Sequence, residues 1–231
     1  MAIQQYVLTV ILVGLTFSLF GQVKKNDTIF ISKDPLLGTA QSIYFDNNKN
    51  STSYKRINYW KFLKFDQESY KESLDFLKKR KLKLSKVTPV IPWKKWVILK
   101  QYKGKVYAYY PSDFYNHFKQ SVNDTTFIDW TGEGPIANKI ISQKKIDPKT
   151  YQFKLTGFYY KDRKLTIHII DTKKRLAVFE DVTGEKEKRY YLMIESGKLN
   201  AVPLIVNNSE TEKQLELQFD QPEFNKLLKN K

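Results

Sequence analysis

The chain contains no cysteine among its 231 residues. That absence excludes disulfides, thiolate metal sites, a lipid-modified amino-terminal cysteine and cysteine nucleophiles together. Histidine is nearly as scarce, represented by His117 and His168 alone. Nucleophilic catalysis needs a base beside the nucleophile, and two imidazoles offer little choice. A zinc site would have to recruit carboxylates beside both histidines, and no spacing points to one. G-x-S-x-G, a Walker A loop and H-E-x-x-H are all missing. No cofactor and no metal are expected, and the sequence leans away from an enzyme.

Long apolar runs are also in short supply, with a single exception. "MAIQQYVLTVILVGLTFSLFGQ" holds one from Tyr6 to Phe20, the length of a signal-peptide core and short for a membrane span of roughly 20 residues. Small residues around Ser18 and Gly21 offer cleavage sites, although no Lys or Arg precedes the run. The expectation is a signal peptide over residues 1–21, a mature start between Leu19 and Val23, and no transmembrane span thereafter. An exported chain without cysteine fits a bacterial envelope (periplasm, outer-membrane periphery or exterior) better than a eukaryotic secretory route.

Acidic charge is deficient: 24 Asp and Glu face 40 Lys and Arg, for a formal +16. Most of the excess lies in residues 55–105, where 16 basic residues face 4 acidic ones. Within that region "FDQESYKESLDFLKKRKLKLSK" reads as a helix over residues 66–81, with a Ser69/Glu72 capping box and Tyr70, Leu74 and Leu77 at helical spacing. Lys78, Lys79 and Arg80 fall at its end, where cations suit the helix dipole. For any one lysine that is explanation enough. For the whole stretch, Lys94 and Lys95 included, an anionic lipid or polysaccharide surface is the partner expected, with nucleic acid not expected.

What the chain has in abundance is aromatic residues, 15% of the total, which fit the pleated surface of strands. From Trp93 onward strand-like runs alternate with turn signals about every 8 to 12 residues. The fold class expected is mainly β: an antiparallel meander of nine or ten strands in a barrel or sandwich, the helix near 66–81 and a short carboxy-terminal helix. Residues 22–231 read as one domain, with the basic helix in 22–90 and the meander and terminal helix in 91–231. Such a barrel with a helix beside it would resemble the calycin layout of lipocalins, in layout only, because "RINYWKF" lacks the glycine of their G-x-W.

In "FIDWTGEGPI" two glycines suit a hairpin turn. The spacing around Asp129 does not match an EF-hand loop. A two-residue turn at Lys103-Gly104 would set Leu99 opposite Ala108, leaving Trp96, Ile98, Lys100, Tyr102, Tyr107 and Tyr109 on the other face. A turn centred on Asp162-Arg163 would set Phe158 opposite Ile167 and group Leu155, Tyr159, Thr166 and His168. His168 reads as packed beside Tyr159 and Phe179, and His117 as a surface residue. "KQLELQFD" alternates cleanly and reads as the last strand.

These readings nominate Trp96, Tyr107, Tyr109, Tyr159 and His168 to line a site for an apolar or amphiphilic small molecule. Lys78, Lys79, Arg80, Lys94 and Lys95 would meet an anionic headgroup or surface. The function expected is a non-catalytic binding protein of the envelope. The alternatives are a secreted polysaccharide hydrolase using carboxylates such as Asp129 and Glu133, and a cell-surface scaffold without a small ligand.

Overall fold

The computed structural model describes residues 28–33, 40–113, 116–184, 187–210 and 214–229. The apolar segment read as a signal peptide lies outside the described residues. Twelve strands form one sheet: β1 (Thr28–Lys33), β2 (Ala40–Asp46), β3 (Lys95–Tyr102), β4 (Lys105–Tyr110), β5 (Lys119–Val122), β6 (Thr126–Thr131), β7 (Gly134–Asp147), β8 (Thr150–Thr156), β9 (Arg163–Asp171), β10 (Leu176–Thr183), β11 (Glu187–Glu195) and β12 (Leu204–Ser209). Among the described residues three α-helices accompany them, α1 (Thr52–Ile57), α2 (Lys64–Lys79) and α3 (Phe224–Lys229), with a 3₁₀ turn at Ser196–Ala201.

The meander from β5 to β11 pairs each strand with the next, and β3 joins β11 to β5, closing an eight-stranded antiparallel barrel. Eight strands leave an interior just wide enough for side chains to fill. Here it is filled: Trp96, Phe127, Phe153, Leu155, Leu165, Ile167, Phe179 and Met193 are all buried within it. The segment after α2 closes one end. Val87 N donates to Asp124 O, Val90 N to Gln143 Oε1 and Gln143 Nε2 to Thr88 O.

The remaining strands form a wing, β4-β12-β2-β1, growing from the same β3. β5 pairs with Lys95–Val97 and β4 with Leu99–Tyr102 along one edge of β3, while β11 takes the other edge. One face of the wing continues the inner face of the barrel. The opposite face of β3, β11 and β10 is covered by α1, the 3₁₀ turn and α3, through Tyr54, Ile57, Leu199, Phe224 and Leu227. Both faces of the β3–β4 hairpin are therefore covered, as one apolar face and one largely aromatic face require. The two-residue Lys103-Gly104 turn sits at positive φ, with Leu99 opposite Ala108.

Four expectations are corrected. β12 runs parallel to β4, reached by the 3₁₀ crossover, so the sheet is not antiparallel throughout. α2 begins at Lys64, capped when Leu63 N donates to the Asp66 carboxylate at 2.9 Å. Ser69 sits inside the helix and donates instead to Glu133 O. β8 and β9 pair with Leu155 opposite Arg163 and Phe153 opposite Leu165, and this register differs from the expected one by an odd number of residues. An odd slip turns every side chain to the other face, so Leu155 points inward and Thr166 and His168 outward. Finally, the described part of "KQLELQFD", residues 214–220, forms no strand beyond a bridge from Gln101 to Asp220. Gln41 and Asn207, both buried, bond the backbone of Leu215 instead, and Leu217 and Phe219 pack onto the wing.

Candidate functional site

The five residues nominated for a ligand cavity do not share one. Trp96 is buried in the barrel interior and donates to Trp93 O. Tyr107 and Tyr109 lie on the wing, where the Tyr109 hydroxyl donates to Glu216 at 2.5 Å and accepts from Asn207. Burial pushes the Tyr109 phenol up, with the Glu216 hydrogen bond adding to it. Tyr159 is exposed in the β8–β9 connection and donates to Glu133. His168 sits on the outer barrel wall, 3.8 Å from Glu180, rather than beside Tyr159 and Phe179. Of the basic residues, Lys78, Lys79, Lys94 and Lys95 are exposed, and Arg80 lies over the Phe76 ring. The ammonium of Lys95 stands 5.7 Å from the Trp60 ring centroid.

The two carboxylates considered for hydrolysis have separate partners. Asp129 points into the barrel and binds Arg163 at 2.5 Å, while accepting from Gln120 at 2.7 Å and Asn138 at 2.9 Å. Asp181 holds the other side of the same guanidinium at 2.7 Å. Burial opposes the charge on Arg163, but Asp129 and Asp181 outweigh it and hold the pKa above the ordinary arginine value. The buried Asp181 and the part-buried Asp129 around one buried cation form a closed ionic knot, each carboxylate already accepting several hydrogen bonds. Glu133 lies outside it, in the β6–β7 turn.

A pocket forms where the barrel and wing separate. β4 and β5 occupy neighbouring stretches of one β3 edge and then diverge, opening a notch at Ile98. The resulting cavity, of about 180 Å³, is lined by Arg56, Tyr59, Lys61, Asp66, Ile98, Lys100, Tyr109, His117, Phe118, Lys119 and Trp130 among others. Four basic side chains, Arg56, Lys61, Lys100 and Lys119, thus face the single carboxylate of Asp66 across aromatic walls. Lys119 is central. Its ammonium lies 4.5 Å from the Trp60 ring centroid and 4.9 Å from that of Trp130, and it donates to Tyr59 O. Indole faces stabilise such a cation. Burial nevertheless lowers its pKa to about 8, against the pull of Asp66 and with a push from Lys95. Burial likewise lowers the pKa of Lys100, partly offset by Glu216, and that of His117, leaving a neutral imidazole at pH 7.

Local structure explains how these groups meet. Ser51 caps α1 by accepting from Tyr54 N, and α1 packs over the outer face of β3. The chain leaving it carries Tyr59 and Trp60 to the notch. Trp130 faces outward on β6, its indole donating to Ser121 and its ring packed edge-on to Trp60 at 5.6 Å. Sequence reasoning nominated Tyr109 alone among the notch residues and placed His117 on the surface, where it is half-buried. Trp60 lies 59 residues before Lys119, a distance over which no local pattern reports contact, whereas Lys119 and Trp130 face each other across the β5–β6 hairpin.

No protein-family model, curated protein or solved structure matches this chain.

Proposed function

We propose that this protein is an exported, non-catalytic binding protein of the bacterial envelope, and that its ligand is a small anion with an apolar body held in the notch. One observation carries the reading: four cationic side chains and several aromatic rings converge on one cavity against one carboxylate. Sites of this kind, mostly apolar with a few placed charges, bind small molecules and fix their orientation. A cavity near 150 Å³ is enough for one benzene-sized ring, so a single-ring carboxylate or phosphate fits the space. The Asp129–Arg163–Asp181 knot supports the non-catalytic reading over a carboxylate hydrolase. The filled barrel interior directs the ligand away from a lipocalin-like central cavity. Recovery of an envelope form beginning between Leu19 and Val23 is the expected export result; an intact Met1 in membranes would mean an anchor.

The binding test is calorimetry with benzoate, phenyl phosphate and benzylamine. The two anions should bind and the amine should not. Lys119→Met should weaken the anions by at least about tenfold, the worth of one charge-assisted hydrogen bond. Because the Lys119 ammonium loses its proton near pH 8, affinity should hold between pH 6 and 7 and fall several-fold by about pH 9.5. Equal binding of the amine, or no effect of Lys119→Met, would refute the assignment.

A further inference from the structure

A second surface, independent of the notch, lies on the outer wall of the barrel. On β8 and β9, Phe153, Leu155 and Leu165 point inward, so Lys154 and Lys164 point outward. They are both exposed and stand directly opposite each other. Lys144 of β7 faces outward opposite Gln152, and Lys139 opposite Thr156. Like charges placed opposite across two strands are destabilising. Among the described residues none of these four lysines is seen in an ion pair, and the outward acid of β10, Glu180, is engaged by Lys188 at 3.1 Å. The basic end of α2 adjoins this wall, since Arg80 donates to the carbonyl of Gly157, next to Thr156.

The same strand β7 carries two register breaks, between Ile140 and Ser142 and between Lys145 and Asp147. The extra residue is an isoleucine each time. A bulge leaves its extra residue unpaired and re-aims its side chain, and Ile141 and Ile146 are 53% and 50% exposed. A face made only for polyanions has no use for two outward isoleucines. Lysines attract an anionic surface, and apolar side chains among them enter the headgroup boundary.

We propose that the β7–β9 wall docks on an anionic lipid bilayer, with Lys144, Lys154 and Lys164 meeting headgroups and Ile141 and Ile146 entering the interface. The test uses the full chain and vesicles of phosphatidylcholine with or without phosphatidylglycerol. Residues 2–22 carry no charged side chain, so the ratio of the two partition coefficients reports the cationic surfaces of the rest of the chain, and the loss of that ratio in the lysine variant isolates the share of the wall. That ratio should exceed about tenfold at 0.1 M salt and collapse at high salt, and K144Q/K154Q/K164Q should remove most of it. Amine acetylation should show Lys154 and Lys164 protected on the anionic vesicles only. I141S/I146S should weaken binding to anionic vesicles several-fold while leaving retention on heparin unchanged. An unchanged ratio in the lysine variant, or unprotected Lys154 and Lys164, would overturn the proposal. Undiminished vesicle binding by the isoleucine variant would also overturn it, identifying a polyanion-binding face instead.

Discussion

Arg163 opens β9 with its guanidinium turned into the barrel and only 3% of the residue exposed. In the sequence it sits beside Asp162 and two lysines, in company that reads as a solvated turn. Nothing local distinguishes it from its neighbours, because its partners Asp129 and Asp181 come from β6 and β10. Arg163→Met would leave the buried Asp181 and the part-buried Asp129 without a cation, and breaking a buried pair in this way costs about 3–5 kcal/mol. Urea denaturation should show that loss, and the neutral variant R163M/D129N/D181N should recover much of it. A fully stable R163M would mean that water reaches the knot. Lys119 is partly illegible for the same reason. The aromatic excess suggested strands; Trp130 stands opposite Lys119 in the β5–β6 hairpin, but that Trp60 reaches the same ammonium depends on a segment 59 residues upstream.

At the scale of elements, turns were easier to read than registers. The hairpin turn expected in "TGEGP" is there, since Thr131 pairs with Gly134 across Gly132 and Glu133, but of its two glycines only Gly134 takes positive φ. Gly134 has φ +99, and a Cβ there would lie 2.5 Å from Ser69 Oγ on α2. Gly134→Ala should therefore cost about 1–3 kcal/mol through backbone strain alone, with crowding against α2 added. An unchanged thermal midpoint would show that the turn relaxes freely. The β3–β4 hairpin was placed in the right register because its loop has two residues, which fixes pairing. The β8–β9 connection spans residues 157–162, long enough for a local pattern to leave the register open. Clean alternation in "KQLELQFD" reported a half-buried extended segment, yet alternation cannot say whether a strand or two side-chain amides satisfy its backbone.

The fold of the whole molecule follows from one strand serving two structures. β3 completes the barrel through β5 and starts the wing through β4, and the notch exists because both use the same edge. A barrel with a helix was legible from turn spacing and composition. The bifurcation was not, since it depends on which strand closes against which. The central claim is that this notch, rather than the barrel interior, holds an anionic ring. The four tryptophans allow a direct test, because Trp60 and Trp130 flank Lys119 while Trp93 and Trp96 pack together at 6.1 Å away from the notch lining. Indole N–H resonances followed by ¹H–¹⁵N NMR during a benzoate titration should shift for Trp60 and Trp130, saturably, and remain still for Trp93 and Trp96. Shifts confined to Trp93 and Trp96, or none at saturating benzoate, would contradict the account.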